Sequence, residues 1–256
     1  MKRLLSSLLM LISASVMADI TVTYSGNVEQ TGPTNFSDNS RLFEITHGVP
    51  AGSAWIPGAA LFLKQNLSSE QSAKSAMLEG LKSIYNYTAS DKESDKPFAE
   101  WLLALRSWIQ TQPVTGRQLV TTLDPFQLEI DKTANKKITS DARLNYPNRP
   151  DFISIIGLNG TSDGTSPYRK VPYLPGKDIQ NYFNEDDIAS WANKNEVYIV
   201  SPAGQIEKVG IAAWNFKHVR LVPGSWVYIP IDNDALSAAP HFNEGFVQWL
   251  TTRSLP

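Results

Sequence analysis

Residues 113–123, Pro-Val-Thr-Gly-Arg-Gln-Leu-Val-Thr-Thr-Leu, mark the place where the chain's hydrophobic pattern changes period. Upstream, apolar residues recur at three- and four-residue steps over Ser69 to Tyr87 and Pro97 to Gln110, which predicts a helical hairpin with the polar segment Ser90 to Lys96 at its tip. From Arg117 to Leu123 the period is two, and the spacing predicts a strand followed, after a turn at Asp124-Pro125, by a second strand over Phe126 to Ile130. Ahead of the hairpin, Ile20 to Tyr24 alternates like a strand and ends in a turn at Gly26. Asp38 to Thr46 then reads as a short helix capped by Ser37 or Asp38, and Ala54 to Leu61 as an ordered aromatic turn. A helical insertion thus interrupts a sheet.

The polar, turn-rich passage from Asp131 to Pro150 is the expected domain boundary. Beyond it, strands are expected over Phe152–Leu158, Val197–Val200, Ile206–Ile211 and Trp226–Ile231, with short helical pieces over Asp178–Phe183 and Asp186–Trp191. That is again a sheet clasping a small helix, so the fold class is α+β with two such units in series. From Ala235 to Arg253, Leu236, Ala239, Phe242, Phe246, Trp249 and Leu250 fall on one side of an amphipathic helix with Asp234 as its N-cap, although Pro240 could delay its start.

At the other end, Lys2 and Arg3 precede an apolar run that closes on Val16-Met17-Ala18, the pattern of a secretory signal peptide cleaved after Ala18. Removing residues 1–18 of the 256 leaves 238 and takes the formal charge from −2 to −4, which gives no electrostatic footprint for nucleic acid. With Cys 0 the chain has no cysteine for lipid attachment, disulfides or thiolate metal sites. No later stretch is apolar enough to suggest a transmembrane helix. The expected location is the periplasm.

Several short words then occur in order: Trp55-Ile56-Pro57-Gly58-Ala59, Val114-Thr115-Gly116-Arg117 with Leu123-Asp124-Pro125, Ala213-Trp214-Asn215 with His218-Val219, Pro223-Gly224-Ser225, and the tail Thr251 to Pro256. Collinear with the helical insertion between them, they resemble the capsule biosynthesis GfcC (YjbG-like) family over nearly the whole chain. Two positions depart from that pattern, Ile56 standing where a second aromatic is usual and Phe126 where another Asp is expected. The resemblance implies two β-grasp domains similar to the soluble ligand-binding β-grasp (SLBB-like) units of polysaccharide export proteins. They would span residues 19–150, with a helical hairpin inserted at about 62–112, and residues 151–234, followed by a C-terminal helix at 235–256. It also implies a non-enzymatic accessory role in capsule or exopolysaccharide assembly or export.

Arg117 is the first candidate ligand contact, because a guanidinium offers a planar fork to a carboxylate or phosphate. The alternative is an internal arginine paired with carbonyls or a carboxylate. Trp55, Trp214 and Trp226 lie next to turns and could stack on sugar rings, or plug a core. His218 falls in one of the family-like words and could organise its loop. Phe242, Phe246, Trp249 and Leu250 would serve either to dock the last helix on its own domain or to hold an export-machinery partner or the outer membrane.

Catalytic signals are thin. Gly160-Thr161-Ser162-Asp163-Gly164 satisfies the G-x-S-x-G pattern, but Thr165-Ser166-Pro167 follows it where a nucleophile elbow needs a helix. His47, His218 and His241 are far apart, without metal-ligand spacing, so neither a metal nor a cofactor is expected. Asp232-Asn233-Asp234 and Glu185-Asp186-Asp187 read as turn and helix-start residues. A binding protein for polysaccharide or an export partner is the favoured class. A glycan-modifying enzyme and a structural envelope protein without a ligand are the alternatives.

Overall fold

The computed structural model describes residues 19–88, 95–159 and 167–255. Its framework is a pair of five-stranded mixed sheets. The first contains β1 (Asp19–Gly26), β2 (Gly32–Ser37), β3 (Ala60–Leu63), β4 (Arg117–Gln118) and β5 (Ala142–Tyr146), in the order β2-β1-β5-β3-β4. The second contains β6 (Phe152–Ile156), β7 (Tyr168–Pro172), β8 (Glu196–Val200), β9 (Ile206–Gly210) and β10 (Trp226–Tyr228), in the order β7-β6-β10-β8-β9. Strand directions repeat as well. In each sheet the first strand runs parallel to the last, and every other pairing is antiparallel. The chain is therefore a structural duplication.

Side-chain alternation decides what each sheet can cover. Ile20, Val22 and Tyr24 of β1, with Leu144 and Tyr146 of β5, point into one core under α1 (Leu42–Thr46) and α4 (Pro125–Ile130). The second sheet is buried on both faces, and its strands are correspondingly richer in continuous apolar residues. Ile153, Ile155, Val197 and Val227 face one core, whereas Ile156, Val200 and Tyr228 face another.

That third core comes largely from elsewhere in the sequence. Helices α2 (Leu67–Thr88) and α3 (Lys96–Thr111) leave the first sheet between β3 and β4, then lie over the second sheet beside α5 (Phe242–Leu250). Met77, Leu81, Leu105 and Ile109 pack there with Phe246 and Leu250. Trp101 and Phe98 of α3 meet Trp191 at ring-centroid distances of 4.1 and 5.0 Å. Asn243 fixes α5 to the end of β10, accepting from Tyr228 Oη at 2.6 Å and donating to the Ile231 carbonyl at 2.8 Å. Because each fully buried Leu or Phe contributes about 1.5–3 kcal/mol, this shared core couples the two halves strongly.

Five expectations need correction. The strand expected over Phe126 to Ile130 is helix α4. Pro125 sits in its first turn and Asp124 caps it, accepting from Phe126 N at 2.9 Å. Pro125 and Leu128 are buried there, with Phe126 and Ile130 exposed at 77% and 85%, so the apparent period of two had no sheet behind it. The strand expected over Arg117 to Leu123 shrinks to the edge strand β4. The passage read as a domain boundary contains β5, a central strand of the first sheet, which leaves only Pro147 to Asp151 between the sheets. Helix α1 starts at Leu42 rather than Asp38, because Asn135 Oδ1 takes Phe43 N at 2.9 Å and Glu44 takes Arg41 N at 3.2 Å. Finally, Pro240 separates a one-turn 3-10 segment at Asn233–Leu236, capped by Asp232 and not Asp234, from α5, which spans only Phe242–Leu250.

Candidate functional site

The word Val114-Thr115-Gly116-Arg117 returns the chain from α3 to the first sheet. Gly116 has φ +70°, and a Cβ at that position would stand 2.5 Å from the Leu63 carbonyl oxygen, so the turn requires glycine. The turn sends Arg117 inward, where it is only 8% exposed. Its Nη1 donates to the carbonyls of Thr251 at 3.1 Å and Arg253 at 2.5 Å, and its Nη2 to the Pro202 carbonyl at 2.5 Å. Burial, followed by the charge of Arg253, lowers its pKa to about 10. Both Nη groups are thus spent on three carbonyls, while Nε is buried without a partner among the described residues and the residue lines only a small cleft of about 180 Å³.

Beside it, Glu70 of α2 accepts from Thr115 N at 3.0 Å and Gly116 N at 2.6 Å, and pairs with Arg253 Nη2. Arg253 also donates to the Pro113 carbonyl at 2.7 Å and lies over the Trp249 ring at 4.5 Å. Burial lowers the pKa of Arg253 while Glu70 raises it. Lys74 closes the end of α3 by donating to the carbonyls of Gln110 and Gln112, at 2.9 and 2.5 Å. Together these groups clamp the tail to α2, β4 and the turn at Pro202.

An open groove lies next to this clamp, with a volume of about 640 Å³. That falls within the range of about 300–1,000 Å³ typical of ligand sites. Its floor is Leu42, Leu61, Leu63 and Ile138. One wall is the free edge beyond β4, from Gln118 to Thr121, and the other is the segment from Lys136 to Thr139. The turn Ala203-Gly204-Gln205 of the second half closes one end. Gly204, at φ +85°, lets Leu119 lie against its backbone, since a Cβ there would meet Leu119 Cδ2 at 2.3 Å.

Among the described residues, the backbone N–H groups of Leu119, Val120 and Thr121 have no hydrogen-bond partner, and the side chains of Gln65, Thr121, Thr139 and Gln205 make no hydrogen bond. No histidine, carboxylate or serine is in the lining. None of the groove residues was singled out from the sequence. They come from five separate stretches, and a lysine pair in a polar passage looks like ordinary solvated surface.

The other candidates do not converge on this groove. Trp55 is half-buried, its backbone N–H bonded to the Pro147 carbonyl at 3.0 Å. Trp226 is half-buried against Trp108 and Tyr168, at 5.6 and 5.3 Å. Trp214 is 77% exposed, on a turn pinned by Asn215, whose Oδ1 accepts from Ala212 N at 3.1 Å and whose Nδ2 donates to the Asn195 carbonyl at 3.0 Å. His218 is a surface residue paired with Asp178 at 2.9 Å.

Of the two roles open to Phe242, Phe246, Trp249 and Leu250, docking on their own chain or holding a partner, the structure shows the first. They are exposed by 5% or less and constitute the face that α5 turns toward α2 and β10, so they offer no surface to a partner. The Gly160 to Gly164 motif lies outside the described residues. Among the described residues, no group of three or more histidines and carboxylates could hold a metal ion.

Taken together, the geometry defines a duplicated α+β scaffold whose halves are clamped and share a groove. Comparison with known sequences gives the family. The chain belongs to the capsule biosynthesis GfcC family, whose N-terminal description matches residues 18–146 and whose C-terminal description matches residues 168–254. The first match ends on the last residue of β5 and the second begins on the first residue of β7. The chain is also 28% identical over 255 residues to the uncharacterized protein YjbG of Escherichia coli (strain K12), covering 98% of each. No helix among the described residues is long and apolar enough to cross a membrane.

Proposed function

We propose that this chain is a non-catalytic periplasmic accessory protein of capsule or exopolysaccharide assembly or export, built on two β-grasp units, and that it binds glycan in the groove between them. Family membership supports the capsule role. The identical strand order and directions of the two sheets support the β-grasp assignment, and the signal-peptide pattern ending at Ala18 supports export. The observation that carries the binding reading is the groove itself, with walls from both halves, unsatisfied backbone donors and uncommitted amide and hydroxyl side chains. General acid–base or nucleophilic catalysis calls for a carboxylate pair or an activated nucleophile, and the lining supports neither.

A structural envelope protein is the second reading, favoured by one observation: Arg117 is consumed by internal carbonyls. Deleting the gene separates the two readings. Loss of surface polysaccharide with a rise in the periplasmic pool places the protein in export, and loss of both places it in an earlier assembly step. Unchanged polymer together with a weakened envelope would favour the structural reading and overturn the proposal.

A further inference from the structure

The lining of the groove has a sign. Lys136 and Lys137 stand side by side on one wall, both exposed, while the facing residues Gln65, Gln118, Thr121 and Gln205 are uncharged. Lys137 Nζ donates to Asn39 Oδ1 at 2.6 Å, which orients the ammonium without neutralising it. Lys136 makes no ion pair among the described residues, although its charge helps to hold the Asp131 carboxyl low, after the bonds from Thr133 and Ala134. Asp131 itself is not in the lining, so two lysines and no carboxylate border the groove, with the Lys137 ammonium at its rim beside Asn39. The chain as a whole is negative, at −2, so its net charge gives a polyanion no general attraction and a local basic pair has to supply it.

We infer that the groove selects an acidic polysaccharide segment, with Lys136 and Lys137 contacting the uronate or other anionic substituents. The inference rests on the glycan-binding reading above and goes beyond it by naming the substrate class. Sugar hydroxyls would meet Gln65, Thr121, Thr139 and Gln205 and the free backbone donors at Leu119 to Thr121. The leucine floor would lie under the apolar face of a ring. This assignment moves charge recognition away from Arg117, whose fork is already bonded, to a lysine pair that solvent and polymer can reach. Lysines suit the task because their donors rotate and do not demand bidentate geometry.

Calorimetric titration of the full mature chain with hexagalacturonate and with uncharged maltohexaose tests this. Hexagalacturonate should bind at least about tenfold more tightly than maltohexaose. The preference should shrink on raising NaCl from about 50 to about 500 mM, because exposed ion pairs are screened. Lys136→Gln with Lys137→Gln should weaken hexagalacturonate roughly five- to tenfold, the scale of two exposed ion pairs, and leave maltohexaose unchanged. Thr139→Trp, which fills the groove from an exposed wall position, should abolish both.

Equal binding of both sugars, lost in Thr139→Trp, would overturn the charge inference and leave glycan binding standing. Hexagalacturonate binding that ignores all three substitutions would place the site outside the groove and overturn the assignment. Binding of neither sugar would overturn the inference and the glycan reading together.

Discussion

Removing Glu70 should unfasten the tail. In Glu70→Ala, Arg253 keeps its charge at a site where its side chain is 6% exposed, and the N–H groups of Thr115 and Gly116 lose their acceptor. Breaking a buried ion pair from one side costs about 3–5 kcal/mol. Each orphaned donor is worth about 1–3 kcal/mol, part of which water recovers at this half-buried turn. About 4 kcal/mol is therefore the expected loss in urea unfolding followed by circular dichroism, or about 8–16 °C in Tm for a chain of this size.

A double-mutant cycle separates this from lost packing. Glu70→Leu with Arg253→Leu removes both charges, so it should be less destabilised than the sum of the single variants by at least about 1.5 kcal/mol. The clamp would be refuted by a Glu70→Ala loss under about 1 kcal/mol, or by strictly additive single changes.

Other outcomes are equally concrete. Gly116→Ala should cost about 1–3 kcal/mol in the same unfolding assay, since it adds strain at φ +70° and a clash with the Leu63 carbonyl. Burial pushes the Tyr24 hydroxyl up to about 12 and raises Tyr146 and Tyr228 as well, so between the unfolded value of about 10 and those higher values the folded chain holds more protons. Stability should therefore fall as pH rises from about 10 to about 12. Arg117, Arg253 and Lys74, each lowered chiefly by burial, work in the opposite direction, so the tyrosine contribution is read from the difference between wild type and Tyr24→Phe. The urea midpoint measured across that range checks the slope, which Tyr24→Phe should flatten. Trp214→Ala should change stability by less than about 0.5 kcal/mol, because its ring is 77% exposed, and any effect on glycan titration would then report contact with ligand alone.

What the sequence made legible was whatever local periodicity encodes. The helices expected at 69–87 and 97–110 stand at Leu67–Thr88 and Lys96–Thr111, because each keeps an apolar stripe over several turns. Strands such as Glu196–Val200 and Trp226–Tyr228 were readable for the same reason. Strand β2 was not, since Gly-Pro-Thr-Asn-Phe-Ser at the sheet edge has no buried face to leave a pattern. Helix α4 is too short for periods of two and 3.6 to be told apart, and the cap at Asp124 was the better signal.

The placement of the helical hairpin is a long-range fact. Nothing in Met77 or Leu105 says that it will cover the second sheet and not the first. The same holds for the candidate site. Arg117 was conspicuous by its place in a recognisable word, yet its fork is filled by carbonyls from residues 85 to 136 positions away. The groove, by contrast, is made by residues that are unremarkable one at a time. The buried stripe of α5 shows the matching ambiguity, since an apolar helix face reads the same whether it meets a partner or its own chain.

The central claim is that the shared groove is where this protein meets capsular polymer. The most direct measurement is surface polysaccharide in a deletion strain carrying Thr139→Trp, with the variant accumulating and melting like the wild type. Failure of the variant to restore surface polymer, where the wild type restores it, is the predicted result. Full restoration by a folded, groove-blocked protein would contradict the claim.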